Sequence, residues 1–91
     1  MDFQKGPERI CYRDLEGRLL AEVDFPTKDG VAEITHTFVD DVLRGQGVAN
    51  QLLTAAAEQI RASGLRVKLT CPYAKAWFPK HPEYSDMVIP E

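Results

Sequence analysis

The segment Arg44-Gly45-Gln46-Gly47-Val48-Ala49 stands where an extended, β-branched stretch gives way to an amphipathic one. A helix that opens there leaves its first backbone N–H groups without partners, and such a mouth attracts anions. Glycines at 45 and 47 remove side chains that would obstruct a diphosphate, and the small Ala49 leaves room for the same approach. Paired glycines also serve as turn and packing residues, so the motif alone does not require a ligand. A P-loop needs Lys-Ser or Lys-Thr after its second glycine, and a dinucleotide fingerprint needs another glycine and a later ribose-binding acid. Neither pattern is present. Two other side chains carry reactive chemistry. Cys71 ends a strand-like run, and helix amides after Pro72, or Lys75 or His81, can supply the positive potential that activates a thiol. Its alternative is a small buried hydrophobe. His36 is an imidazole, the side chain best suited to exchange a proton near neutral pH. It is either a general base or, with Thr37, hydrogen-bonded scaffolding.

The elements that must position these groups follow from periodicity. Ile10 to Asp14 and Arg18 to Phe25 read as antiparallel strands about a turn at Leu15-Glu16-Gly17, with Leu19, Ala21, Val23 and Phe25 on one face. Pro26 ends the second strand, and Asp29-Gly30 supplies a pair tolerant of positive φ for a hairpin. Val31 to Val39 is rich in β-branched residues and reads as one central strand. Val48, Leu52, Ala56 and Ile60 recur every four residues, which predicts a helix from about Gln46 to Ala62 closed by Ser63-Gly64. Leu65 to Thr70 alternates as a fourth strand, and a strand, helix, strand order predicts a parallel crossover. A short helix is expected over Ala74 to Phe78, with an irregular, proline-rich tail.

Arg44, Gly47 and Ala49 match the Arg/Gln-x-x-Gly-x-Gly/Ala loop of the Gcn5-related N-acetyltransferase (GNAT) family, which the sequence resembles. His36-Thr37-Phe38-Val39, Leu43 to Gly47, Cys71-Pro72-Tyr73 and Lys80-His81-Pro82-Glu83-Tyr84 are similar, more narrowly, to its small single-domain branch. The resemblance implies a minimal GNAT fold of the α+β (α/β) kind over residues 1–91. It would have a mixed sheet of about four strands, a long helix after the pyrophosphate loop and a short C-terminal helix. It implies acetyl-coenzyme A as donor and an unidentified amine as acceptor. The pyrophosphate would be held around Leu43, Arg44, Gly45, Gln46, Gly47, Val48 and Ala49, with Asn50 and Gln51 close by. The pantetheine arm would run between splayed strands, pairing with the main chain of Phe38 and Val39. Tyr73, Lys75, Trp77, Phe78 and Lys80 would border the coenzyme, although core packing is the stronger expectation for the aromatics Tyr73, Trp77 and Phe78. Cys71 would lie near the thioester as nucleophile or proton relay, with His36 as the competing base. Glu33 resembles the strand-borne glutamate of larger members, but its separation from Arg44 does not match. The chain departs from those members in lacking their N-terminal helical pair and C-terminal strand pair, which obscures the acceptor.

The bulk properties set bounds on all of this. Ninety-one residues with 44% hydrophobic and 27% charged content fit one small folded domain. A net charge of -3 argues against a nucleic-acid partner. No apolar run approaches the ~20 residues of a membrane span and the N-terminus has no apolar signal segment, so a cytoplasmic location is expected. Cys11 and Cys71 lack disulfide or zinc spacing. A monomer or weak homodimer is expected. Two other readings remain: a noncatalytic acyl-CoA-binding or sensing module, and a small interaction domain that uses a sheet edge.

Overall fold

The computed structural model describes residues 1–90. Strands β2 (Arg9–Arg13) and β3 (Leu19–Asp24) form the expected antiparallel pair, with Ile10 opposite Val23 and Tyr12 opposite Ala21. The short β1 (Gln4–Lys5), not anticipated from the sequence, adds to the outer edge of β2. Beyond Pro26, β4 (Thr27–Lys28) and β5 (Val31–Ile34) make a second hairpin. Asp29 and Gly30 both take positive φ, 54° and 79°, as a tight hairpin turn between twisted strands demands.

The stretch Val31 to Val39 is two strands, not one. β5 pairs in parallel with β7 (Arg66–Leu69), whereas β6 (His36–Val39) pairs antiparallel with β3. Between them the N–H of Thr35 donates to Asp24 O at 3.1 Å, while Asp24 is also the register partner of His36. Two residues thus oppose one, which is a β-bulge, and a bulge bends its strand. The bend parts β6 from β7. Ile34 O is their last common point, accepting from the N–H groups of Thr70 and Cys71 at 3.1 and 2.9 Å. The strands therefore form a four-stranded set, β1-β2-β3-β6, and a three-stranded set, β4-β5-β7.

Helix α1 (Val48–Ala62) connects β5–β6 to β7 and lies across both sets. Its buried face is Val48, Leu52, Leu53, Ala56, Ala57 and Ile60, which pack against Ile10, Ala21, Val23, Ala32, Ile34 and Val67. Each large side chain buried this way contributes about 1.5–3 kcal/mol relative to exposure. Gly64, at φ 71°, ends the helix, with Leu65 N–H reaching Ile60 O and Gly64 N–H reaching Arg61 O. That double closure satisfies carbonyls the helix would otherwise leave unpaired. The short helix α2 (Pro72–Trp77) begins two residues earlier than expected, because Pro72 occupies a first-turn position where its missing N–H costs nothing. The tail is more regular than its prolines suggest. It makes 3-10 turns at Phe78–Lys80 and Pro82–Met87, then a parallel bridge from Val88 to Val67. No helix among the described residues is long and apolar enough to cross a membrane.

Candidate functional site

The glycine loop lies between a 3-10 turn, Asp41–Leu43, and the start of α1. Asp40 caps that turn by accepting from the Val42 N–H at 3.0 Å, so its carboxylate shapes the loop. Gly45 and Gly47 sit at φ 79° and 70°, and a Cβ added at either meets no atom within 4 Å. The glycines are needed here for left-handed backbone, which costs other residues about 1–2 kcal/mol each. Gly47 is the N-cap of α1 and offers no side-chain cap, and the first turn holds no acidic residue. Gln51 N–H to Gly47 O, 3.1 Å, is the first bond of the helix. The N–H groups from Gly47 through Asn50 therefore have no partner inside it.

That mouth opens into a cavity of about 450 Å³. Leu43, Arg44, Gly45 and Gly47 line it from the loop, and Val48, Ala49 and Asn50 from the first turn of α1. Val39 and Thr37 line it from β6, and Tyr73 from α2. Gln46, by contrast, is exposed and turns its amide back to Val42 O at 3.4 Å. Arg44 is mostly exposed, with its guanidinium 2.7 Å from Asp41 Oδ1. An arriving anion would compete with that carboxylate for it.

The bulge decides which groups of β6 reach the cavity. Thr37 and Val39 line it, with the Thr37 hydroxyl beside the buried Cys71 and Val39 packed on the core, so by strand alternation His36 and Phe38 project from the opposite face. There His36 is exposed and opposite Asp24, itself held by Arg9 at 2.8 Å. His36, the competing candidate for a base, is not brought to the cavity. Main-chain groups alternate as well. Asp40 N–H donates to Leu20 O at 2.7 Å, so Phe38, two residues earlier, also turns its N–H and C=O toward β3. Thr37 and Val39 face the other edge, where the Thr37 N–H is directed at Cys71 Sγ. Sequence reasoning had Val39 among the main-chain candidates, but placed Phe38 beside it and left Thr37 as scaffolding. The readable signal was the period of two running back from Val39.

Cys71 is buried, 5% exposed, at the N-cap of α2, with Sγ 3.5 Å from Thr37 Oγ1. Burial pushes its thiol pKa up, but hydrogen bonds from the Thr37 hydroxyl and from the N–H groups of Ala74, Tyr73 and Thr37 outweigh it, leaving the thiol below its ordinary value. Thr37 thus stands between the thiol and the cavity. Glu33 lies elsewhere, accepting from Thr70 Oγ1 at 3.0 Å.

The aromatics divide. Trp77 and Phe78 are core residues, 5% and 4% exposed, whereas Tyr73 is 47% exposed at the cavity. Trp77 Nε1 donates to Asn50 Oδ1 at 2.8 Å, linking α2 to the first turn of α1. Lys75 lines a separate cavity of about 230 Å³ with Leu69, Val88, Ile89 and Pro90, apart from the glycine loop.

Comparison with known proteins gives these features a context. No functionally curated protein matches the chain. Its fold is similar to that of a GCN5-like protein from Staphylococcus aureus, with a TM-score of 0.80 at 31% identity over 99% of this chain and 89% of that one. A GNAT family N-acetyltransferase from Escherichia coli, solved in complex with CoA, has a TM-score of 0.63 at 22% identity over 79% of this chain. The ribosomal-protein-S18-alanine N-acetyltransferase from Escherichia coli has a TM-score of 0.65 at 17% identity over 84% of this chain. The match spans 43% and 53% of those two longer chains, and at such identities they share the fold. The sequence model of the GCN5-related N-acetyltransferases matches residues 9–87. Together with the splayed strands and the uncapped helix mouth, this match establishes that the chain belongs to the GCN5-related N-acetyltransferase family.

Proposed function

We propose that the chain binds acetyl-coenzyme A at the mouth of α1 and transfers its acetyl group to an amine of a small molecule or a protein. The observation that carries this reading is the uncapped, acid-free start of a 15-residue helix opening into a 450 Å³ cavity beside a splayed strand. Unpaired N–H groups and the positive end of the helix dipole suit a diphosphate. The open main-chain edge at Val39 suits an amide-bearing arm laid alongside as an added strand. The residues present therefore fit the coenzyme. Leu43 to Asn50 would hold its diphosphate and Tyr73 would border it.

Acetyl-CoA supplies an activated thioester. The chain must then manage protons, because a neutral amine has to lose one and the departing thiolate has to gain one. Cys71, held below the ordinary thiol pKa and bonded to Thr37, suits that exchange, with the Thr37 hydroxyl carrying it to the cavity wall. This relay favours burial of the thiol, where a nucleophile would need exposure. The two buried, unpaired thiols suit the reducing cytoplasm in which we place the protein, as a monomer or weak homodimer.

The test is turnover of acetyl-CoA with a panel of amines. Thiol release above background is expected with at least one acceptor, and Cys71→Ala should lower it roughly tenfold or more, equal to ~1.4 kcal/mol of barrier. One observation favours a second reading, a noncatalytic acyl-CoA-binding module: the cavity wall carries no histidine, carboxylate or cysteine side chain among the described residues. Tight CoA binding by calorimetry with no release for any amine would select that reading. Gly47→Leu should abolish binding under both.

A further inference from the structure

Asn50 is exposed at the rim of the cavity, as the third residue of α1. Its amide has one acceptor end and one donor end, and which of them faces the cavity decides whether it attracts or repels an anion. Trp77 fixes the choice. An indole N–H can only donate, so the atom it meets at 2.8 Å is the Asn50 oxygen. The Nδ2 donors are thereby turned away from α2.

The indole itself is clamped. It stacks on His81 with centroids 3.7 Å apart and lies near-parallel to Tyr84 at 5.9 Å, while Phe78 meets it edge-on at 4.9 Å. His81 Nδ1 is 2.8 Å from Trp77 O, and the Tyr84 hydroxyl donates to Glu58 Oε2 at 2.6 Å. A buried ring packed among three aromatic neighbours is held in place, and the amide with it.

We infer that Trp77 is a positioning residue for diphosphate recognition. It holds the Asn50 amide so that its NH2 group joins the free N–H groups of the helix mouth as a side-chain donor to the coenzyme. This rests on the proposed binding of the coenzyme at the mouth of α1. Through it the turns after α2, far along the chain from the glycine loop, set coenzyme affinity.

Calorimetry with coenzyme A and with pantetheine, which lacks the diphosphate, tests the inference. Trp77→Phe keeps an aromatic ring and removes the donor. It should weaken coenzyme A binding roughly tenfold, within the range for a hydrogen bond to a charged group, and leave pantetheine binding unchanged. Asn50→Ala should show the same loss, and the double variant no more than either alone. Asn50→Asp keeps an oxygen for Trp77 and sets negative charge before the diphosphate. It should melt no lower than the wild type and bind coenzyme A more weakly than Asn50→Ala. Equal losses for coenzyme A and pantetheine in Trp77→Phe, additive losses in the double variant, or wild-type affinity in Asn50→Asp would overturn the positioning role. A wild-type protein that binds no coenzyme A would overturn the coenzyme site itself. A wild type that binds it while Trp77→Phe binds equally well overturns only the inference.

Discussion

At Cys71 two physical effects oppose one another and the weaker looking one prevails. Burial disfavours the thiolate, yet donors from Thr37, Tyr73 and Ala74 converge on the sulfur and favour it. A depressed acid pKa means that the thiolate persists to lower pH than in an ordinary cysteine. Its contribution to stability is present above the unfolded thiol pKa and is lost as pH falls through the folded value. Thr37→Val keeps the shape and removes one donor. The pH profile of acetyl transfer should then shift its midpoint upward and the maximal rate should fall roughly tenfold. An unchanged midpoint would remove Thr37 from the relay. The residues that sequence reasoning reached most directly were those whose type admits few explanations, Gly45 and Gly47. Thr37 escaped it because threonine is ordinary in a strand, and its hydroxyl matters only through a cysteine 34 positions away. Asn50 was reached as a neighbour of the loop, but its orientation depends on Trp77, which nothing in the local pattern connects to it.

At the level of elements, α1 was legible because its apolar face repeats at the helical period and Gly64 marks its end. The strand from Val31 to Val39 was misread for a reason that lies in register. Val31 to Ile34 alternates, but Thr35 and His36 are both exposed in succession, and that slip is the bulge. An uninterrupted alternation would set His36 and Phe38 on the face of Ala32 and Ile34, and the bulge sets Thr37 and Val39 there instead. The C-terminal turns were least legible, since prolines hide how firmly they are fastened. The phenol of Tyr84 is pushed up to about 12 by its hydrogen bond to Glu58 and by burial. A raised pKa for this acid means that the stabilisation is complete below pH ~10, where unfolded tyrosine is still protonated, and is lost as pH rises through about 12. Tyr84→Phe should lower stability at neutral pH by about 1–2 kcal/mol in urea titration. The difference from wild type should vanish by strongly alkaline pH.

The whole molecule is a small core bounded by one long helix, so little separates folded from unfolded. A ligand that binds only the folded form then has a large visible effect. Coenzyme A at ~100 times its dissociation constant should add about 2.7 kcal/mol. For a domain of this size that raises the melting temperature by roughly 10–20 °C, readable by the fluorescence of the single tryptophan, Trp77. No rise at millimolar coenzyme would count against the site.

The pairing of Val88 with Val67, fixed by the Ile89 N–H to Val67 O bond of 2.8 Å, has one more consequence. It lays the final described residues along the outer rim of β7, where unpaired peptide groups would otherwise template another molecule. The tail thus covers part of that edge. Ending the chain after Met87 should leave it foldable but prone to sticking edge to edge, and light scattering would rise with concentration.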